Sequence, residues 1–144
     1  MLGEQIEELK GKITSQRVVN VQPLTIETSV SSSGSIRGIQ VTQLLTFVGT
    51  PATTSEEGRE GGGIIHGKGG GITMARQQSE EVATFTGEAV GRISSSGSTK
   101  WRGSIFYSTS SSRGKLSFLN NMIVVFESEI DAEGNFTHKA WEWK

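Results

Sequence analysis

The chain has 144 residues, enough for one domain (residues 1–144) with a core that needs no covalent staple. It contains no cysteine, which excludes disulfides, thiolate metal sites and cysteine nucleophiles. Its 14 basic and 15 acidic side chains leave a formal charge of −1, and no basic stripe of the kind that marks a nucleic-acid binder is present.

In chain order, Met1–Lys12 carries Glu4, Glu7, Glu8 and Lys10 and has no basic region followed by an apolar run. It does not read as a signal peptide, and the cytoplasm is the expected compartment. Leu2, Ile6 and Leu9 fall at helical spacing and Gly11 follows as a stop, so a short N-terminal helix is expected. Beyond it, runs rich in Val, Ile, Thr, Phe and Trp alternate with Ser/Gly/Asp/Asn clusters, the strand-and-turn pattern. Eight runs stand out: Ile13–Val21, Leu24–Ser32, Ile36–Gly49, Gly63–Ala75, Val82–Ser94, Thr99–Ser108, Lys115–Ile130 and Phe136–Trp143. Their connections are short apart from Thr50–Gly62, which reads as a surface loop, and short connections imply antiparallel neighbours. No stretch approaches the roughly 18 apolar residues of a membrane span.

Register can be tested by arithmetic, because a slip of one residue turns every side chain to the other face. A fold at Gly34-Ser35 sets Val30 against Ile39 and Thr28 against Val41. A fold at Ser96 sets Phe85 against Tyr107, Gly87 against Ile105 and Gly91 against Trp101. A fold between Ser111 and Ser112 sets Trp101 against Met122 and Gly103 against Asn120. Each fold gathers apolar residues on one face, and Glu88, Arg102, Glu127 and Glu129 fall on the other. Eight up-and-down strands with one apolar face can bury it by curling into an antiparallel barrel, which also removes the sheet edges. A two-sheet sandwich is the alternative.

Several motifs read as structure. Gly62-Gly63-Ile64-Ile65-His66-Gly67-Lys68 imitates a phosphate loop, but Gly69 replaces the needed Ser or Thr and no helix follows. Its glycines suit strand positions beneath bulky neighbours. His66 and His138 lack partners at metal-ligand spacing, neither has a recognisable serine partner, and no nucleophile elbow is present. No metal and no cofactor is expected. Glu88 and Arg102 read as an exposed cross-strand pair.

The informative residues are polar groups on the apolar face: Gln43, Tyr107 and Asn120, together with the indole of Trp101 and that of Trp141. They either satisfy one another or form the convergent polar groups of an apolar pocket. In the second case Gln43, Trp101, Tyr107 and Asn120 are lumen contacts, and Asn120 or Tyr107 orients an oxygen of the ligand.

Trp101-Arg102-Gly103-Ser104-Ile105-Phe106-Tyr107, Gly114-Lys115-Leu116, Phe118-Leu119-Asn120-Asn121 and Trp141-Glu142-Trp143-Lys144 resemble segments of a group of small uncharacterised microbial proteins. These in turn resemble the allene oxide cyclase barrel class. That resemblance implies an eight-stranded antiparallel barrel with a lumen, often assembled as an oligomer, in which some members cyclise or isomerise apolar substrates. It assigns no catalytic residue to this chain. The resulting expectation is a lumen for a small lipophilic or amphipathic molecule, with any catalysis non-covalent. The rival expectation is a side-chain-filled barrel whose outer faces mediate self-association as a homo-oligomer. Nucleic acid is not an expected partner.

Overall fold

The computed structural model describes residues 1–52, 63–76, 78–110 and 113–144, without the side chains of 78–80. Most of the expected loop Thr50–Gly62 therefore lies outside the described residues. Eight strands follow in order: β1 (Leu2–Val21), β2 (Leu24–Ile36), β3 (Ile39–Pro51), β4 (Ile64–Ala75), β5 (Gln78–Ile93), β6 (Thr99–Ser108), β7 (Ile123–Ile130) and β8 (Asn135–Trp143). Each pairs antiparallel with the next, and β8 returns to β1, so the sheet closes into a barrel.

The N-terminal helix does not form. Residues 2–12 instead pair with β8 on one side, and residues 7–21 pair with β2 on the other. An isolated helix of a dozen residues is marginal in water. A strand between two partners has both its ladders satisfied, and it carries Glu7, Leu9, Gly11 and Ile13 on the inner face at period two. The other expected runs form strands close to where they were read, except the seventh. Residues 115–122 leave the sheet, with a single 3-10 turn at Ser117–Leu119, and β7 starts at Ile123.

The β5–β6 register agrees with the arithmetic, with Phe85 opposite Tyr107 and Gly91 opposite Trp101. Two other registers differ by an even number of residues, so the inner and outer faces survive. Val30 lies opposite Leu45 and not Ile39, because the β2–β3 turn sits at Arg37-Gly38. There φ is 49° and 79°, the paired positive angles that match a two-residue hairpin to strand twist. Gly34 stays in the strand, where a Cβ would come within 2.0 Å of the Glu8 carbonyl oxygen. Trp101 lies opposite Ser128 and not Met122, because the chain spends residues 115–122 elsewhere.

That segment plugs one end of the barrel. Leu116 and Leu119 are fully buried there, beside Ile36, Val41, Val124 and Ala140. The opposite end is closed by rings. Phe47 meets Trp101 edge to face at 5.2 Å between centroids, and the Trp101 ring covers Gly67 and Gly91. A Cβ at either glycine would lie 2.8 Å from an indole carbon, so glycine makes the ring's position possible. The outer face carries Lys10, Lys100, Arg102, Glu127 and Lys139. No helix among the described residues is long and apolar enough to cross a membrane.

Candidate functional site

The ring-closed end holds a half-open cavity of about 60 Å³. Its lining is almost wholly apolar, with Phe47, Phe85, Trp101, Ile105 and Phe136 among the walls. Gln43, Ser128 and His138 are polar residues of the lining, to which the outward-facing Lys68 and Glu88 also contribute. An apolar site with a few convergent polar groups is the usual make-up of a small-molecule pocket.

Those polar groups belong to one hydrogen-bonded row that crosses the barrel. Gln43 Nε2 donates to Thr73 Oγ1 at 2.9 Å and lies 3.4 Å from the Tyr107 hydroxyl. Tyr107 donates to Glu7 Oε2 at 2.7 Å. Glu7 Oε1 lies 3.0 Å from His138 Nε2, and His138 Nδ1 lies 2.8 Å from Ser128 Oγ. The Glu7 and His138 side chains are 0% and 3% exposed. A carboxylate so buried is tolerable only when donors surround it. Tyr107 and His138 provide them from β6 and β8. Burial first, and then the charge of Glu7, hold the Tyr107 hydroxyl well above the usual phenol range, so it remains a donor. The His138 ring is also packed against Phe136, with centroids 5.9 Å apart, and against Phe126, at 5.3 Å.

Three of the four residues read from sequence face this interior. Gln43 is 2% exposed, Tyr107 1% and Trp101 8%. Gln43 and Tyr107 touch; Trp101 lies nearer the ring-closed end. Asn120 is not a lumen residue: it is exposed, follows the 3-10 turn in the plug, and accepts from the Thr109 backbone N–H at 3.1 Å. The reading that put it inside assumed a strand through residues 115–122. Trp141 is on the outer face, opposite Val125, where it lines a surface groove with Leu2 and Arg102.

Trp101 has a further property. Its Nε1–H is buried and, among the described residues, has no hydrogen-bond partner. An unpaired buried donor costs roughly 1–3 kcal/mol, so its persistence calls for an explanation.

No family model, curated protein or solved structure matches this chain.

Sequence reasoning missed Glu7, Thr73, Ser128 and His138. His138 does have a serine partner, its direct register neighbour Ser128 across β7–β8. The alternation Phe136, His138, Ala140 in the last strand is the signal that places the imidazole inside. Glu7 was hidden by the helical spacing around it. Other features stayed outside. His66 and Lys68 are exposed on β4, a strand and not a phosphate loop. Glu88 and Arg102 lie diagonally across β5–β6, as the register arithmetic has them, and Arg102 reaches Glu127 at 3.5 Å. Both partners of that pair are exposed, so it contributes about 0–1 kcal/mol. Among the described residues no cluster of three or more potential metal ligands occurs.

Proposed function

We propose that the barrel binds a small, mainly apolar molecule carrying one oxygen acceptor, within its ring-closed end. The observation that carries this reading is an apolar cavity lined by Trp101, whose buried Nε1–H has no partner among the described residues, and by Gln43, Ser128 and His138 of the polar row. A ligand carbonyl or ether oxygen would satisfy the indole donor, and its hydrocarbon part would bury against Phe47 and Phe136. Polar groups that are already paired give such a site orientation without a large desolvation cost. The likeness to the allene oxide cyclase class belongs with this proposal, supported by eight strands in order around a closed barrel.

The test is calorimetric titration with six-carbon ketones and short esters. Saturable binding should weaken about tenfold in Trp101→Phe, the loss of one hydrogen bond of roughly 1.4 kcal/mol. Ala89→Leu, which fills the cavity, should abolish it. Absence of saturable binding in the unaltered protein would sink the reading.

A second reading has an observation of its own. On the outer face Phe106 pairs with Ile123, Trp141 with Val125 and Trp143 with Leu2, a continuous apolar strip across β6, β7, β8 and β1. Phe106, Leu2 and Trp143 are each more than half exposed. Such strips favour association. Sedimentation would show a concentration-dependent oligomer that Phe106→Glu disperses, and a monomer at every concentration would exclude it.

A further inference from the structure

Ser128, His138 and Glu7 form a row that simple ligand binding does not require. They are 8%, 4% and 1% exposed, and they come from β7, β8 and β1. An ionised carboxylate can only accept hydrogen bonds, so the His138 Nε2 facing Glu7 at 3.0 Å carries the hydrogen. In the neutral imidazole the lone pair of Nδ1 then faces Ser128 Oγ at 2.8 Å, and the hydroxyl donates to it. Tyr107 holds the other carboxylate oxygen at 2.7 Å, which keeps Glu7 from turning away from the imidazole. A hydroxyl bonded to a base, with the base oriented by a buried acid, is the arrangement that activates a serine. Here the two ring nitrogens have exchanged places relative to the familiar triad, and the route for the proton is unchanged.

Two independent observations connect this row to a substrate. Ser128 and His138 line the apolar cavity, whereas Glu7 is absent from its lining. Trp101 is the register partner of Ser128 across β6–β7, and its Nε1–H is the unpartnered donor described above. Directly opposite side chains on one face of an antiparallel pair stand roughly 5 Å apart at Cβ. The indole thus stands on the same inner face as the Ser128 hydroxyl, and its Nε1–H is a donor suited to an oxygen that gains negative charge.

We infer that Ser128 is a nucleophile and that the cavity is an acyl-transfer site for small uncharged carboxylic esters. Ser128 Oγ bonds to the ester carbonyl carbon while its proton passes to His138 Nδ1, and the carbonyl π electrons move to the oxygen. Collapse re-forms the carbonyl and breaks the bond to the alkoxy group, which takes the proton from His138 and leaves as the alcohol. Water then attacks the acyl-serine and gives a proton to His138. His138 returns it to Ser128 as the carboxylic acid departs. A cavity of about 60 Å³ suits an acyl part of a few carbons, and its aromatic walls disfavour a charged one. Glu7 is a positioning residue, since it acts through the imidazole.

This inference rests on the lumen being a binding site, and its test reads covalent chemistry separately from occupancy. The native protein is treated with a small alkyl fluorophosphonate and mapped by peptide mass spectrometry, and in parallel 2-hexanone binding is measured calorimetrically. One adduct on Ser128 is expected, formed at least a hundredfold faster than on exposed serines, slowed by saturating 2-hexanone and lost in His138→Gln. Glu7→Gln should lower the maximal labelling rate about tenfold without changing the Kd for 2-hexanone. Ser128→Cys supplies a check that survives folding defects elsewhere, because the chain has no other thiol. Its single thiol should react with iodoacetamide faster than one placed at exposed Ser104. Binding of 2-hexanone with no Ser128 adduct and a sluggish thiol in the Ser128→Cys variant would overturn the acyl-transfer site and leave the binding site standing. No binding and no adduct would remove both.

Discussion

The two ends of this barrel are built from the same alternating strands and are finished differently. At one end an eight-residue excursion, 115–122, turns into the barrel mouth and inserts Leu116 and Leu119, both fully buried. Flexible aliphatic side chains on a segment free of the ladder settle into the core beside Ile36, Val41 and Val124. At the other end the β5–β6 and β7–β8 connections are tight turns, at 94–98 and 131–134. Among the described residues, rigid rings cover that end, with Trp101 laid over Gly67 and Gly91 and Phe47 against its edge. Flat plates over glycines meet without filling every corner, and a cavity of about 60 Å³ is left. An end closed by a plug is a stability device, whereas an end closed by plates has room for a guest.

The comparison can be broken or sharpened in order of effect. Leu119→Ala should cost about 2–5 kcal/mol in urea unfolding, the range for emptying a well-packed core position, and leave ligand affinity unchanged. A loss below 1 kcal/mol would mean that the plug is ornamental. Tyr107→Phe should cost about 1–3 kcal/mol by leaving Glu7 short of a donor. The same residue offers a pH test, because it is the only tyrosine in the chain. Its folded-state value is raised above the ordinary value of about 10, so the stability it contributes is fully present below pH 10 and is lost as pH rises beyond it. Absorbance at 295 nm should therefore show no phenolate near pH 10 and a step that coincides with alkaline unfolding. A smooth titration centred on 10 in the folded protein would place Tyr107 in water.

Trp101→Phe should leave stability unchanged or slightly higher, by up to about 1 kcal/mol, since it deletes a buried donor that has no partner while keeping an aromatic plate. Its effect belongs to ligand affinity, the reverse of Leu119→Ala. The smallest effect is expected at Asn120, which is exposed on the plug: Asn120→Leu should change stability by less than about 1 kcal/mol and leave ligand binding untouched. Asn120→Cys should label rapidly. Slow labelling would show that the plug folds over the position.

Face assignment was legible along most of the chain because it depends on parity alone. The registers of β2–β3 and β6–β7 differ by six residues from the simplest folds, Leu45 replacing Ile39 and Ser128 replacing Met122, yet every side chain keeps its side. Gln43, Trp101 and Tyr107 were found inside for this reason. Asn120 was misplaced because parity has no meaning where the chain leaves the sheet. The first strand was misread because Leu2, Ile6 and Leu9 suit a helix locally, whereas β2 and β8 offer two ladders that no local pattern announces.

Alternation of apolar and polar residues, short Ser/Gly turns and glycines set against rings were enough, by themselves, to specify an antiparallel sheet with one apolar face. Such information is local, carried by neighbours a few positions apart. Tertiary structure alone decided the closure and the chemistry. Glu7 meets His138 across 131 positions of sequence, and Tyr107 meets Glu7 across 100, only because β8 returns to β1. A buried carboxylate and its donors have no sequence period, since they are chosen by the desolvation cost each would suffer alone, and that cost exists only once the barrel has closed.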